Sequence, residues 1–289
     1  MKSSRCLLPI AGLLVGTGLL FGLFPSLDLD ISQRFGATGF PLKANTLAIA
    51  LRQTGQWLPL IVFLACLAAL LGPLANPRWR NGFDARNLAA ILLTFTLGPG
   101  LLINVGLKDH WHRPRPIQVS EFGGASSFKP WWDTSGACQL NCSFASGEVA
   151  AATAAVGVVT LIPSAYAGAA LVLGVILTLI VAYLRLAFGG HFLSDIVFAA
   201  LLTQFVACAL TTLFHSQRWR YGCEGVLEQD IRLLAFRLHA QLPWLRHQPH
   251  WLVRSAHLAL GKPAFSPTLG SVTVIGWERA DDHAGVYGR

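Results

Sequence analysis

Three short stretches of the chain carry ionisable side chains at spacings that could act on an anion. RLAFGGHFLSD, residues 185–195, places Arg185, His191 and Asp195 at the end of a run with no charge from Val149 to Leu184. His191 and Asp195 are four residues apart, so on a helix they share one face. A carboxylate bonded to one imidazole nitrogen fixes the tautomer and leaves the other nitrogen free to attack or to take a proton. KDHWHRPRP, residues 108–116, supplies Lys108 and Arg115. FASGE, residues 144–148, sets Ser146, Gly147 and Glu148 at the start of an apolar segment. Free N–H groups at a helix start can accept an anion, and glycine lets the backbone approach it closely. Lys108, Arg115 and Arg185 together would make a strong anion site, because guanidinium matches phosphate oxygens with a planar fork and ammonium adds a point charge. Cations around a phosphate with a nucleophile behind it describe phosphoryl transfer, a chemistry of positioning and charge stabilisation.

The elements that must bring these stretches together are membrane spans. The chain has 289 residues, is 53% hydrophobic and only 12% charged, whereas a soluble domain carries about 25% charge. Uncharged blocks fall at 6–27, 53–77, 87–107, 149–184 and 196–214. Each can supply a helix of roughly 20 residues, the length that crosses a bilayer. The fourth is too long for one span and contains the turn signal IPSAYAG near its middle. The expected fold is therefore all-α, a polytopic membrane helical bundle with six transmembrane helices at about 7–25, 57–75, 88–106, 148–164, 168–188 and 195–214. No small-residue cleavage site follows the first block, so it is read as a span rather than a removed signal. Residues 26–56 read as an outer amphipathic segment lying on the membrane surface. The expected partition is 1–54 for the first span and this segment, 55–214 for the core with five spans, and 215–289 for a cytoplasmic tail with an amphipathic helix. Lys2, Arg5, Arg78, Arg80, Arg86, Arg218 and Arg220 flank the same ends of the spans, which puts both termini in the cytoplasm. Trp57, Trp79, Trp111 and Trp219 sit at span ends, as interfacial tryptophans do. The net charge of +8 suits anionic lipid headgroups and implies no nucleic acid. In this topology Lys108 and Arg115 follow span 3, Ser146 and Glu148 open span 4, Arg185 closes span 5, and His191 and Asp195 open span 6. All reach one membrane face, and ionisable residues at that depth point to function.

The chain resembles the type 2 phosphatidic acid phosphatase superfamily of membrane lipid phosphatases over roughly residues 55–214. The resemblance rests on Lys108 followed by Arg115-Pro116, on FASGE, and on Arg185, His191 and Asp195 at the spacing of RLAFGGHFLSD. It implies that His191 is the nucleophile and forms a phosphohistidine, that Asp195 orients it, and that Lys108, Arg115, Ser146, Gly147 and Arg185 hold the phosphate. It implies no cofactor and no metal. Two positions depart from the family pattern. Leu184 replaces the serine before Arg185, a loss of one hydroxyl. Glu148 replaces the histidine that usually gives a proton to the leaving alcohol. Glu148 could fill that role only when protonated; a bound phosphate dianion would favour that, while the helix start and nearby cations oppose it. The Ser-Gly-Glu variant resembles bacterial members that dephosphorylate lipid A. The resemblance implies a phospholipid or glycolipid phosphate as substrate, with lipid A-type glycolipids, phosphatidylglycerophosphate and undecaprenyl diphosphate open. For a bacterial source it implies the inner membrane with the site facing the periplasm.

Other residues read more plainly. Arg113 matches no signature position and is expected to be a surface charge. His110 and His112 are weak substitutes for the missing acid. Cys138 and Cys142, in GACQLNCS, could form a small disulfide on an oxidising side or stay as two thiols. Cys66 and Cys208 fall inside spans and read as packing residues, and Cys6 and Cys223 lie near cytoplasmic ends. The rival functional readings are a lipid-phosphate binder without turnover and a transporter. No repeated broken spans support the second.

Overall fold

Each apolar block is wound into helix, because backbone groups in hydrocarbon must satisfy one another. The computed structural model describes residues 6–76 and 82–215, and residues 231, 233–235, 237 and 238. The elements are α1 (Leu7–Leu23), α2 (Ser26–Gly36), α3 (Thr46–Ala75), α4 (Ala85–Leu107), α5 (Gly147–Ala155, continued as a 3-10 turn over Val156–Leu161), α6 (Ser164–Ala187) and α7 (Leu193–Phe214). Among the described residues there is no β-strand, only one isolated bridge between Val119 and Ser126. Of the expected tail helix, the six described positions are all helical, and the rest lies outside the described residues. Of the cations expected to set orientation, Arg86 is described and pairs with Asp84 at 2.9 Å; the other six lie outside.

Helix forms at each of the six expected places, and α3, α4, α6 and α7 are long and apolar enough to span. The other two places are different in kind. α1 has 17 residues and meets α2 at a bend of 80°, so the two form at most one broken span. Pro25 stands at the break, where it disfavours helix at Phe24 and starts a new helix instead. α5 has nine α-helical residues and six in the 3-10 turn, after which Pro163 stops it. Among the described residues, four helices are long and apolar enough to cross a membrane, or five if the bent pair counts as one span, so the expected six is not reached there.

α3 is 30 residues long and begins at Thr46, well before residue 57. Asn45 caps it by accepting the Ala48 N–H at 3.0 Å. Its length is roughly 45 Å at about 1.5 Å per residue, so its first turns stand beyond a hydrocarbon core of about 30 Å. Arg52 and Gln56 lie on those turns, so the segment expected on the membrane surface is partly the start of a span.

α4 is α-helical to Phe95 and π-helical over Thr96–Leu107, with Pro99 inside the wide turns. Proline lacks the N–H that an α-helical ladder needs there, and the i→i−5 pattern ends with Lys108 N–H donating to Ile103 O at 3.0 Å. α5 packs against α3, α4, α6 and α7. Its alanines allow this close approach, and Val149, Ala150 and Ala152 sit in one buried cluster with Ile103, Phe144, Val181, Ile196 and Ala199. Leu101, Val172, Ile176 and Leu179 are exposed, the outer apolar belt of a membrane bundle. The chain is thus an all-α, multi-pass membrane protein.

Candidate active site

α6 ends because Gly189 adopts φ +61°, the left-handed conformation that terminates helices. Gly190 then passes so close to Arg185 that a Cβ there would strike its guanidinium. The chain turns at His191 and enters α7 at Leu193. Asp195, in the first turn of α7, reaches back to accept the Phe192 N–H at 2.8 Å. This sequence of turn, histidine and capping carboxylate puts His191 and Asp195 side by side, 1% and 0% exposed.

The bond that sets the imidazole differs from the expected one. His191 Nδ1 lies 2.7 Å from the Ser143 carbonyl and 3.8 Å from Asp195 Oδ2. A carbonyl can only accept, so Nδ1 carries the proton and Nε2 is left bare. Ser143 therefore fixes the tautomer, and Asp195 acts at ion-pair range. The reason is that Asp195 is already committed: its oxygens take the Phe192 N–H, the Ser143 hydroxyl and the Arg113 guanidinium. Burial, with Arg185 adding to it against the pull of Asp195, lowers the His191 pKa to about 4. The imidazole is neutral at pH 7, the state a nucleophile needs.

Arg113 is not a surface charge. It is fully buried, stacks over the Phe192 ring at 4.4 Å, and ion-pairs both Asp195 and Asp28 of α2, the latter at 2.8 Å. Its Nε donates to the Lys129 carbonyl and its Nη1 also donates to Ser194 Oγ, each at 2.8 Å. Asp28 in turn accepts the Ser194 N–H at 2.8 Å and its hydroxyl at 2.6 Å. Two buried carboxylates share one guanidinium and every guanidinium nitrogen has a partner, which is how buried charge is tolerated.

The three cations expected to hold phosphate come from the end of α4, the loop after it and the last turn of α6, and Lys108 feels the charges of the other two. Arg185 ion-pairs Glu148 Oε1 at 3.2 Å. The same oxygen accepts from Arg52 Nη2 and from Gln56 Nε2, each at 3.0 Å. Lys108 Nζ and Arg115 Nη2 both reach Asn141 Oδ1, at 3.1 and 3.0 Å. Asn141 sits in the loop that a disulfide closes between Cys138 and Cys142, whose Cα atoms are 5.7 Å apart. The structure also bonds Cys6 to Cys208, so Cys208 does more than pack, and Cys66 is a buried free thiol.

Ser146, in the middle of the FASGE stretch, is the N-cap of α5, and its N–H donates to the Asp195 carbonyl at 3.2 Å. Its hydroxyl does not cap the helix, and both Ser146 Oγ and Arg185 Nε are buried with no hydrogen-bond partner. Buried donors of this kind fit an anion at the α5 start. At Gly147 a Cβ would press on the Asn104 carboxamide of α4, which would have to shift. His110 and His112 turn away to backbone carbonyls, of Val105 and Gly106 and of Cys138 respectively. Among the described residues no group of three or more His, Cys, Asp or Glu is arranged to hold a metal.

Lys108 gives the site a pH signature. Burial, followed by the nearby charges of Arg115 and Arg185, lowers its pKa to about 8. The ammonium is present below that value and lost above it. A phosphomonoester is a dianion above pH about 6. The Michaelis constant is therefore expected to rise as pH passes about 8, and Lys108→Arg to move that limb to higher pH. A flat Michaelis constant across this range would show that Lys108 does not bind the phosphate.

Sequence reasoning missed Arg52, Gln56, Asp28, Arg113, Asn141, Ser143 and Ser194. A signal existed for the first two, since they stand at i,i+4 at the start of an apolar run. For Arg113 the signal was a third cation in KDHWHRPRP, beside Lys108 and Arg115, in a chain with few charges.

Comparison with known proteins gives the family. The model of the PAP2 superfamily matches residues 88–219. A lipid A 4'-phosphatase of Rhizobium leguminosarum is 35% identical over 222 residues, 71% of this chain and 94% of the relative. One from Rhizobium etli is 33% identical over 220 residues, 71% of this chain and 86% of the relative. One from Francisella tularensis subsp. novicida is 27% identical over 214 residues, 69% of this chain and 91% of the relative. No solved structure gives a significant match. With the bare imidazole and its cations inside the matched region, and with relatives alike over most of their length, the chain belongs to the PAP2 superfamily and is a phosphatase.

Proposed function

We propose that this protein removes phosphate from a membrane glycolipid of the lipid A type, through a phosphohistidine on His191. The substrate class is supported by the three relatives, each a lipid A 4'-phosphatase. The observation that carries the mechanism is the Ser143 carbonyl on Nδ1, which leaves Nε2 of a neutral imidazole unprotonated beside the cations. In the first step Nε2 attacks phosphorus, the bond to the sugar oxygen breaks, and that oxygen takes a proton from solvent water. Water then attacks the phosphohistidine, giving inorganic phosphate and restoring the imidazole. Lys108, Arg115 and Arg185 take up charge on the transferred phosphoryl oxygens, aided by the α5 start with Ser146 and Gly147. Asp195 stabilises the imidazole as it becomes positive.

The same reading places the protein in the bacterial inner membrane, with the site at the periplasmic face and both termini in the cytoplasm. The test is phosphate release by the purified protein in detergent, with EDTA present. The panel would hold lipid A, phosphatidylglycerophosphate and undecaprenyl diphosphate, with acid-labile phosphoenzyme trapped from labelled substrate. Preference for lipid A with a labile phosphoenzyme is expected. Preference for another lipid would reject the substrate class, and turnover without phosphoenzyme would reject the covalent step.

A further inference from the structure

Glu148 stands where a proton donor to the leaving oxygen is expected, and the structure gives it other work. One oxygen, Oε1, is the meeting point of Arg52, Gln56 and Arg185. These three come from two helices, α3 and α6, and Glu148 itself opens a third, α5. A carboxylate held by two guanidiniums and a carboxamide is an ion-paired acceptor, with no proton to give. The packing that allows this is specific. Arg52 and Gln56 are four apart on one face of α3. Gly55 lies between them, and a Cβ there would stand 3.0 Å from Val181 Cγ2 of α6. The glycine lets α3 come close enough to α6 for both side chains to reach across. Arg52 also lies 5.8 Å above the Phe188 ring, at the end of α6.

The clamp also controls which donors stay available. Arg185 spends Nη1 on Glu148, and its Nε is buried without a partner. Arg52 likewise spends Nη2 on Glu148, and its Nε is also buried without a partner. Guanidinium is planar, so fixing one nitrogen sets the direction of the others. The charged groups around the clamp are Lys108, Arg115, Arg185 and Arg52, with Glu148 and Asp195 as the acids.

From this arrangement we infer that Glu148 works as an anion that clamps Arg185 to α3, and that Arg52 and Gln56 are positioning residues of the phosphate site. The inference rests on the phosphatase reading above, since it assigns the clamp to that site. α3 thereby becomes part of phosphate recognition, although it lies before residues 88–219, which match the family model.

The experiment has a binding arm and a turnover arm, both on the full chain in detergent. The binding arm measures inorganic phosphate by calorimetry on wild type, Arg52→Ala, Arg52→Lys, Glu148→Gln and the Arg52→Ala/Glu148→Gln pair. Each single loss is expected to weaken phosphate about tenfold. The pair should be no weaker than either single change, because both break one clamp. Arg52→Lys keeps the charge and should recover part of the affinity. The turnover arm compares an alkyl phosphate lipid with an aryl phosphate, whose leaving group needs no acid. Arg52→Ala and Glu148→Gln are expected to raise KM for both substrates by the same factor. Glu148→Gln that loses alkyl turnover and spares the aryl phosphate would overturn the inference and make Glu148 the acid. Unchanged phosphate affinity in Arg52→Ala would overturn it as well. Binding that behaves as expected in a wild type with no turnover would instead overturn the phosphatase reading and leave the clamp standing.

Discussion

Replacing His191 by alanine is expected to lower phosphate release by at least about 10³-fold. The side chain that would form the covalent bond is removed, and the cradle around it is left in place. Inorganic phosphate should still bind within a few fold of wild type, because Lys108, Arg115 and Arg185 do not touch the imidazole by any hydrogen bond in the structure. The fold should also survive. The imidazole makes one hydrogen bond, to Ser143, and losing it at a buried site costs about 1–3 kcal/mol. Labelled phosphoenzyme should disappear with the activity. Residual turnover within tenfold of wild type would mean that water attacks the phosphate directly and that no covalent step exists.

The second large effect falls on stability. Arg113→Met removes the one guanidinium that faces Asp28 and Asp195. Both carboxylates are at most 1% exposed. Breaking a buried pair from one side typically costs about 3–5 kcal/mol, because the remaining charge stays behind uncompensated. The unfolding midpoint in detergent should fall sharply, and activity should fall with it, since Asp195 loses a partner that holds it beside His191. Adding Asp28→Asn to the same chain removes one stranded charge and should recover part of the midpoint. Arg113→Met that unfolds like wild type would return Arg113 to the surface, where its sequence context first put it.

The parts of this molecule that were legible in the sequence share a local cause. Uncharged blocks of membrane length mark helices because hydrocarbon leaves the backbone no other choice. The three stretches proposed to carry the chemistry could be picked out because each keeps its ionisable residues within about ten positions. What was hidden depends on distance along the chain. Arg113 looked like any loop cation, because Asp28 lies 85 residues before it and Asp195 lies 82 after. Arg52 looked like the end of a surface segment, because its partner Glu148 is 96 residues away. Ser143 acts through a backbone carbonyl, and no residue type signals that. The span count was the weakest structural expectation. Hydropathy registers α1 and α5 as apolar but cannot see the bend at Pro25, and the turn signal at Pro163 marked the end of α5 without showing that the helix before it is too short to span.

The buried Asp28–Arg113–Ser194 cluster also constrains how the protein can be made. Asp28 is synthesised first, Arg113 follows 85 residues later, and Ser194 follows 166 residues later. At about 5–20 residues per second, the last partner arrives roughly ten to thirty seconds after the first. Until Arg113 is made the Asp28 carboxylate has no cation to neutralise it, and until Ser194 follows two of its hydrogen bonds are unmade, and such a charge does not enter a dry interior. α2 must therefore wait in the headgroup water beside a half-built bundle. It docks only when α7 is in place, so the beginning of the chain is among the last pieces to be seated.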